Sequence, residues 1–525
     1  MSEEARNEAK AVGTTNARLV LAVLFAVSIL NFVDRQILAI LAGKIKADLL
    51  ISDAQLGFLY GTVFGIFYAV FGVPLGVYAD LGSRRKLIAW GLGLWSLMTA
   101  ASGFAGGFAS LALARIGVGI GEASASPAAY SMMSDLFPKA RRARAFAVYS
   151  LGIYVGIGLS SYIGGAVVDA WSAAYPVGQE PFGLRGWQVA FLIAGLPGLL
   201  LVPLVLAFRE PVRGAMEESG VETPRARTDA GGPSPLRTAL RETLALLPPT
   251  SLFMLRRDGV PFATNALTFA LLIAGCVVLW ALFGDPVQWI CVALGLYVVA
   301  TMAQRVKARE PETFALVFNT PSLTFATLGF SSLSFTGYAI SLWTAPFFVR
   351  YHGFALAEIG GILGLISAIG GGLGVVLGGV LADWFRRRMP AGRLVVGMMN
   401  ALVPIPFLLL ALNAEDRTSA LVLFTVAQVF AALWLPAGGS TVQDLVLPHM
   451  RARASAIFLL SVTIAGLALG PYVVGRLSDL WGSLRLAYMA ATVSNLVAFV
   501  FFLMAARTIA RDEETREARA AMARA

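Results

Sequence analysis

Apolar runs of about 20 residues, the length a helix needs to cross a bilayer core, recur along nearly the whole chain. They are continuous, whereas the strands of a membrane barrel alternate apolar and polar residues over segments of about 10. Reading the runs between turn and charge signals predicts six helices near 17–45, 53–80, 86–106, 108–136, 142–170 and 185–208. The stretch "REPVRGAMEESGVETPRARTDAGGPSP" (209–235), rich in Pro, Gly and mixed charge, then reads as a linker. Six more helices follow near 322–349, 354–383, 391–412, 418–446, 452–479 and 485–506. Two further runs, 261–283 and 286–304, are joined by "GDP" (284–286). They are flanked by "RRD" (256–258) and "QRVKARE" (304–310), so their basic flanks face the same side. A pair lying in the interface would carry a strongly basic polar face, which neither run has, so the pair is expected to cross the membrane as a hairpin.

The halves repeat. "LNFVDRQI" (30–37) aligns with "LSFTGYAI" (333–340), and "GVYADLGSRRK" (76–86) with "GVLADWFRRRM" (379–389), at one offset. "SYIGGAVVD" (161–169) aligns with "PYVVGRLSD" (471–479) at a slightly larger one. A parallel repeat of six helices is the signature of a transporter whose halves rock about a midplane site. The expected fold is therefore an all-α polytopic membrane protein, two six-helix bundles related by a pseudo-two-fold axis plus the inserted hairpin, fourteen spans in all. The expected organisation is a cytoplasmic N-terminus (1–16), a first bundle (17–208), a cytoplasmic linker (209–260) and the hairpin (261–304). A second linker (305–321), a second bundle (322–506) and a cytoplasmic tail (507–525) complete it.

Composition agrees: 57% of residues are hydrophobic and 14% charged, against about 25% charged in soluble domains. The net charge of +10 does not point to nucleic acid. Its Lys and Arg collect in loops such as "SRRK" (83–86), "KARRAR" (139–144), "FRRRMPAGR" (385–393) and "HMRARA" (449–454), while "GFAGGF" (103–108) carries none. That alternation follows the positive-inside rule and puts both termini in the cytoplasm. "MSEEARNEAK" at the N-terminus has no small-residue cleavage site after it, so no signal peptide is expected. Cys276 and Cys291 show neither C-x-x-C spacing nor a His cluster, so no metal site or disulfide is expected. No G-x-x-x-x-G-K-[ST] occurs, which excludes ATP-driven transport through a P-loop. His352 and His449 lie near predicted helix ends and cannot supply the polar cluster of a membrane enzyme.

Charges inside the spans are the candidate machinery, because ionisable groups there are costly and face a cavity or a partner. Asp34 and Arg35 interrupt "LNFVDRQILAI" (30–40). In "ALARIGVGIGEASASPAAY" (112–130), Arg115 and Glu122 lie about two turns apart, on one face. If the first helix rises from the cytoplasm, Asp34 lies roughly 24 Å along it, and Arg115 lies roughly 10 Å below the outer start of the fourth. Both fall in the outer half of a core of roughly 30 Å, so they can meet, with Glu122 deeper. Arg35 points about 100° away from Asp34 and reads as an interface anchor. The repeat aligns Asp34 with Gly337, Arg115 with Thr425 and Glu122 with Ala432, so the charges are confined to the first half. Asp34 and Glu122 are the candidate proton carriers, and Arg115 and Glu122 the candidate polar contacts for substrate. The second half is expected to contribute apolar or aromatic surface, such as Trp343, Trp434 and Tyr338. A static buried ion pair is the alternative.

Several of these segments resemble a known family. "GVYADLGSRR" and "GVLADWFRR" resemble the loop signature of the major facilitator superfamily, Gly-x-x-x-Asp-(Arg/Lys)-x-Gly-Arg-(Arg/Lys). Gly76, Asp80, Arg84, Arg85, Gly379, Asp383 and Arg387 match it, whereas Leu81, Ser83, Trp384 and Arg386 depart. The resemblance assigns the matching residues to a cytoplasmic gate. "GIGLSSYIGG" (156–165) resembles the antiporter signature with Ser160 and Ser161 in place of Gly-Pro, and close helix packing alone explains it. "NFVDRQILAIL", "GVGIGEASASPAAYSMMSDLFPKARRARA" and "GLRGWQVAFLIAGLPGLLL" resemble the spinster branch, over about 17–210 and more weakly 322–506. The resemblance implies a proton-coupled secondary transporter without cofactor, moving an amphipathic lipid such as sphingosine phosphate or a lysophospholipid. On it, the charged helix residues map to Asp34, Arg115 and Glu122. The expectation is a monomer of the inner or plasma membrane, in contact with membrane lipids, exporting an amphipathic or anionic substrate. A drug or organic-acid carrier of the same superfamily is the alternative, and a transport-inactive receptor or scaffold would need a sensory domain larger than the linker.

Overall fold

A computed structural model describes residues 3–214, 216 and 234–524, and those residues contain helices and no strand. Part of the central linker, 217–233, lies outside them. The first half forms α1 (Glu3–Leu49), α2 (Asp53–Leu81), α3 (Arg84–Ser102), α4 (Phe108–Leu136), α5 (Lys139–Ala174) and α6 (Gly186–Ala207). Two short helices, α7 (Pro235–Leu246) and α8 (Thr250–Arg257), lead to the inserted pair α9 (Phe262–Phe283) and α10 (Pro286–Arg309). After α11 (Pro311–Phe318) come α12 (Pro321–His352), α13 (Leu356–Arg386), α14 (Gly392–Asn413), α15 (Arg417–Asp444), α16 (Pro448–Trp481) and α17 (Leu484–Glu514). The short α18 (Arg516–Arg524) closes the chain.

Local chemistry sets the boundaries. Ser52 and Gln55 form a capping box that starts α2, each side chain satisfying a backbone N–H of the first turn. Gly353 and Gly482 end α12 and α16 in the left-handed region, at φ 63° and 64°, where a side chain would be strained. α4 breaks after Glu122, at Ala123 and Ser124, and α15 breaks after Ala431, at Ala432 and Leu433. Pro127 and Pro436 explain both breaks: neither has an N–H to return to the carbonyl four residues earlier. The internal repeat therefore extends to the same defect in the fourth helix of each half.

Twelve helices among the described residues are long and apolar enough to span a bilayer, including both members of the inserted pair. α3 and α12 occupy expected span positions but are not among the twelve, so the expected count of fourteen spans stands as a proposal. α9 presents Leu267, Leu271, Val278, Trp280 and Leu282 on its surface, a continuous apolar face that suits lipid and not water. α10 packs inward: a Cβ on Gly295 would meet Ile66 at 2.6 Å, and Trp289 sits edge-on to Tyr472 at 5.6 Å. On the proposed topology, a Cys at Asp285, in a background without Cys276 and Cys291, should react with a membrane-impermeant maleimide added outside. Labelling only from the cytoplasmic side would exclude the hairpin.

The helices group into two compact units. One joins the described residues up to Leu41 with Phe71–Thr243 and Leu356–Gly364. The other joins Ala42–Val70 with Leu244–Ala355 and the described residues from Leu365 onward. The start of α13 thus belongs with the first unit, and the end of α1 with most of α2 belongs with the second.

Candidate functional site

In the first unit, Asp34, Arg115 and Glu122 are all buried, with at most 1% exposure. α1 supplies Asp34 and α4 the other two, as their helical spacing requires. Arg115 donates no hydrogen bond to the Asp34 carboxyl, though its charge faces it. Its Nη1 donates to the Asp34 main-chain carbonyl at 3.2 Å, and its Nη2 lies 3.5 Å from the Arg35 carbonyl. Both Asp34 carboxyl oxygens are buried without a hydrogen-bond partner, although Arg115, Glu122, Trp95 and Thr99 all face the group. Trp95 Nε1 and Thr99 Oγ1 on α3 are likewise buried and unbonded. Such a concentration of unpaired polar atoms marks a place where a proton, a water or a ligand belongs.

The ion pair of this site is a different one. Arg35 Nη2 and Nε donate to Glu122 Oε2 at 2.6 Å and 2.9 Å, and Asn31 faces the same carboxylate. The sequence reading of Arg35 as an interface anchor is therefore corrected. A guanidinium on a long flexible stem covers the 100° that separates its Cβ from that of Asp34, and a buried carboxylate rewards it strongly. Arg35 also lies over the Phe32 ring at 4.7 Å.

The second half shows what the repeat lacks. Gly337, at the Asp34 position, lines a cavity of about 20 Å³ with Asn400, Gln428 and Asn495, room for one water and no charge. The aromatic residues expected to form surface there behave differently from one another. Trp343 is fully buried, and its indole N–H donates to the Pro471 carbonyl at 2.9 Å, so it ties α12 to α16 and offers no face to a substrate. Trp434 is stacked on Phe330 at 5.9 Å, against the core of the second unit. Tyr338 is half-buried.

The charged segments that follow α2 and α13 form two related clusters. Arg84, buried, donates to Asp135, to Ser131 at 2.9 Å and to Glu210 at 3.2 Å. Arg393 donates to Asp444 and to the Ser440 carbonyl at 2.8 Å. In both pairs the partners stand 51 residues apart, so the two halves build the same bridge from their third and fourth helices. Residues that depart from the family signature take part. Ser83 caps α3 and donates to Glu210 at 2.5 Å, and Arg386 donates to Glu513 at 2.8 Å while the matching Arg387 and Asp383 are exposed. Burial pushes the Glu210 carboxyl up, but hydrogen bonds from Ser83 and Arg84 outweigh it and hold the group below its ordinary range. Arg85 donates to the carbonyls of Leu206 and Phe208. Arg213, in the linker, clasps the carbonyls of Ala79, Asp80 and Gly82, so Asp80 meets a cation that sequence reading did not assign to it. Gly76 has open space where a Cβ would be, and Gly379 meets only Pro436, so neither glycine is required by close contact.

A third arrangement was not read from sequence. Asp53, buried at the start of α2, receives Lys46 at 2.6 Å, Arg350 at 2.9 Å and 3.0 Å, and Ser478 at 2.7 Å. Asp479 accepts the backbone N–H groups of Asp53 and Ala54 at 3.0 Å and 2.8 Å. Asp169, its partner in the repeat, accepts the N–H of Ala357 at 2.8 Å in the other unit. Each carboxylate caps the positive end of a helix. Close approach repeats as well, since a Cβ on Gly475 would lie 2.2 Å from the Asp53 carbonyl and one on Gly165 2.2 Å from the Leu356 carbonyl.

Comparison with known proteins gives this architecture its place. Residues 24–414 match the family model of the Major Facilitator Superfamily. An MFS-type efflux pump of Mycolicibacterium smegmatis is 28% identical, covering 89% of this chain and 86% of that protein. Human protein spinster homolog 1 is 27% identical, covering 93% of this chain and 77% of that protein. A crystal structure of a bacterial homologue of the human lysosomal transporter spinster, inward-facing and unoccupied, superposes with a TM-score of 0.68 at 25% identity, covering 95% of this chain and 98% of that one. The fold, the internal repeat and these likenesses agree, and the chain belongs to the Major Facilitator Superfamily, as a spinster-like membrane transporter and not an enzyme.

Proposed function

We propose that this transporter couples proton movement to the export of an amphipathic, lipid-like or organic-anion substrate by alternating access. The observation that carries the coupling is Asp34, a wholly buried carboxyl with both oxygens unbonded. A charged carboxylate in that setting is expensive and a neutral carboxyl is not, so the group is suited to take a proton when occluded and to lose it when wetted. Arg115, wholly buried on α4 with its Nη1 on the Asp34 main-chain carbonyl, is the candidate contact for a substrate anion. Glu122 is held by Arg35 and sets the field around both. Export agrees with the efflux named for the mycobacterial relative, and a lipid-like substrate is what the resemblance of the sequence to the spinster branch implies. Reconstitution in proteoliposomes under an imposed pH gradient, with a panel of lysophospholipids, sphingosine phosphate, drugs and organic acids, tests the reading. Acceptance of none of these across both gradient directions would overturn it.

Alternation requires closure on each side. At the basic face, Asp80 with Arg213 and Arg84 and Asp383 with its arginine cluster are the proposed cytoplasmic gate. Asp80→Asn should weaken it and shift the protein toward the inward-facing state. Electron–electron distance measurements between spin labels at the exposed Arg141 and Arg451 should then show a larger long-distance population. An unchanged distribution with normal transport removes Asp80 from the gate.

A further inference from the structure

In the second unit, a groove of about 340 Å³ runs between α10, α12 and α16. Val299, Leu323, Phe458 and Ile464 are typical of its wall, and Leu296 and Leu328, each 42% exposed, form its rim. It follows α16 from Ala454 to Leu469, about 22 Å of helix, against roughly 15 Å for one leaflet of the hydrocarbon core. One end is basic. Phe318, in the wall, stacks on Phe314 at 5.0 Å, and the Lys307 ammonium lies 5.5 Å above the Phe314 ring. Thr324, one turn into α12, lies on the wall at the same end.

We propose that this groove binds a glycerophospholipid of the surrounding membrane, one acyl chain lying between the inserted hairpin and α12 and α16, and the phosphate meeting Lys307. Water does not stably fill a channel with so few polar partners, and an empty one forfeits the dispersion contacts of every atom in its wall. A chain of methylenes restores those contacts. The lysine identifies which molecule brings it: a juxtamembrane ammonium favours an anionic headgroup at this depth. The lipid also extends the seat of the hairpin. α10 touches the unit through Gln288, Trp289 and Gly295, and Val292 and Val299, on the same helix face, line the groove.

The test is native mass spectrometry of the full-length protein, released from membranes in mild detergent and offered phosphatidylglycerol or phosphatidylcholine. The wild type should keep one phospholipid after the detergent is stripped. Ala465→Phe and Thr327→Phe, which fill the groove at two heights, should each reduce the bound fraction at least about tenfold, as expected for losing most of a buried chain. Lys307→Gln alters no packing in the groove; it should lower phosphatidylglycerol retention about fivefold, leave phosphatidylcholine nearly unchanged, and be rescued by Lys307→Arg. Equal retention of phosphatidylglycerol by the wild type and Lys307→Gln would overturn the proposal, whether or not the filled variants fold. A single-chain amphiphile or detergent as the retained mass would overturn it too.

Discussion

Replacing Asp34 with Asn should abolish pH-gradient-driven accumulation of substrate while leaving binding and downhill exchange in place. The amide copies the size and polarity of a protonated carboxyl, so the buried Trp95 and Thr99 that face it need not repack. What is lost is the ability to change charge between the open and occluded states. A gradient of one pH unit supplies about 1.4 kcal/mol per coupled proton, which sets a ceiling of about tenfold accumulation for one proton. The wild type should approach that ceiling in proteoliposomes, and Asp34→Asn should equilibrate at no accumulation. Arg115→Ala should behave differently, weakening binding of an anionic substrate itself, because removal of the guanidinium deprives the anion of its partner. If Asp34→Asn still accumulates substrate with full pH dependence, the carboxyl is a static structural group and coupling lies elsewhere.

The variant pair Arg35→Gln and Glu122→Gln sharpens the contrast with a static bridge. These two side chains form the ion pair of the site, and removing either one leaves the other charge buried. That should destabilise the protein by about 3 kcal/mol, whereas Asp34→Asn should not, since no bond to its carboxyl is broken.

Much of this was legible in the sequence because hydropathy and period are strong signals in a bilayer. The apolar runs located the helices, and the common face of Arg115 and Glu122 followed from their spacing on α4. The meeting of α1 with α4 followed from depth alone. What failed were details set by side-chain reach. Arg35 turns back to Glu122, and Arg115 donates to main-chain carbonyls of α1, because a helical wheel fixes Cβ directions and not the ends of long flexible stems. Trp343 looks like pathway surface by its residue type, but its indole N–H needs a buried acceptor, and the Pro471 carbonyl provides one. Ser83 and Arg386 were set aside as departures from a signature, though a serine before a helix and a basic residue at a helix end have local reasons to bond. The aligned segments ending at Asp169 and Asp479 already held the helix caps. Only the structure shows whose N–H groups those carboxylates accept.

Those caps lead to the second large effect, at the end of the molecule where α1 passes into α2. Asp53 joins Lys46, Arg350 and Ser478, side chains from α1, α12 and α16, while Asp479 caps the helix that Asp53 begins. Helices from both sequence halves therefore depend on one buried carboxylate. On the proposed alternating-access cycle, with this contact forming on closure of the outer side and breaking on opening, its free energy would enter the equilibrium between the two states directly. Losing the Asp53 carboxylate should cost the closed state about 2 kcal/mol, less than a fully buried pair would, because Arg350 and Lys46 keep 30% and 35% exposure. That shifts the equilibrium roughly thirtyfold toward outward opening. Asp479→Ala, which removes an exposed cap, should shift it only about fivefold. Spin labels at Leu50 and Trp481, both exposed at this end, report the change as a growing long-distance population. Asp53→Ala should show the larger population, Asp479→Ala the smaller, and both should slow export by trapping the carrier open. If Asp53→Ala leaves the distance distribution as in the wild type, the cluster only stabilises the fold, and outer closure rests on the glycine contacts at Gly475 and Gly165.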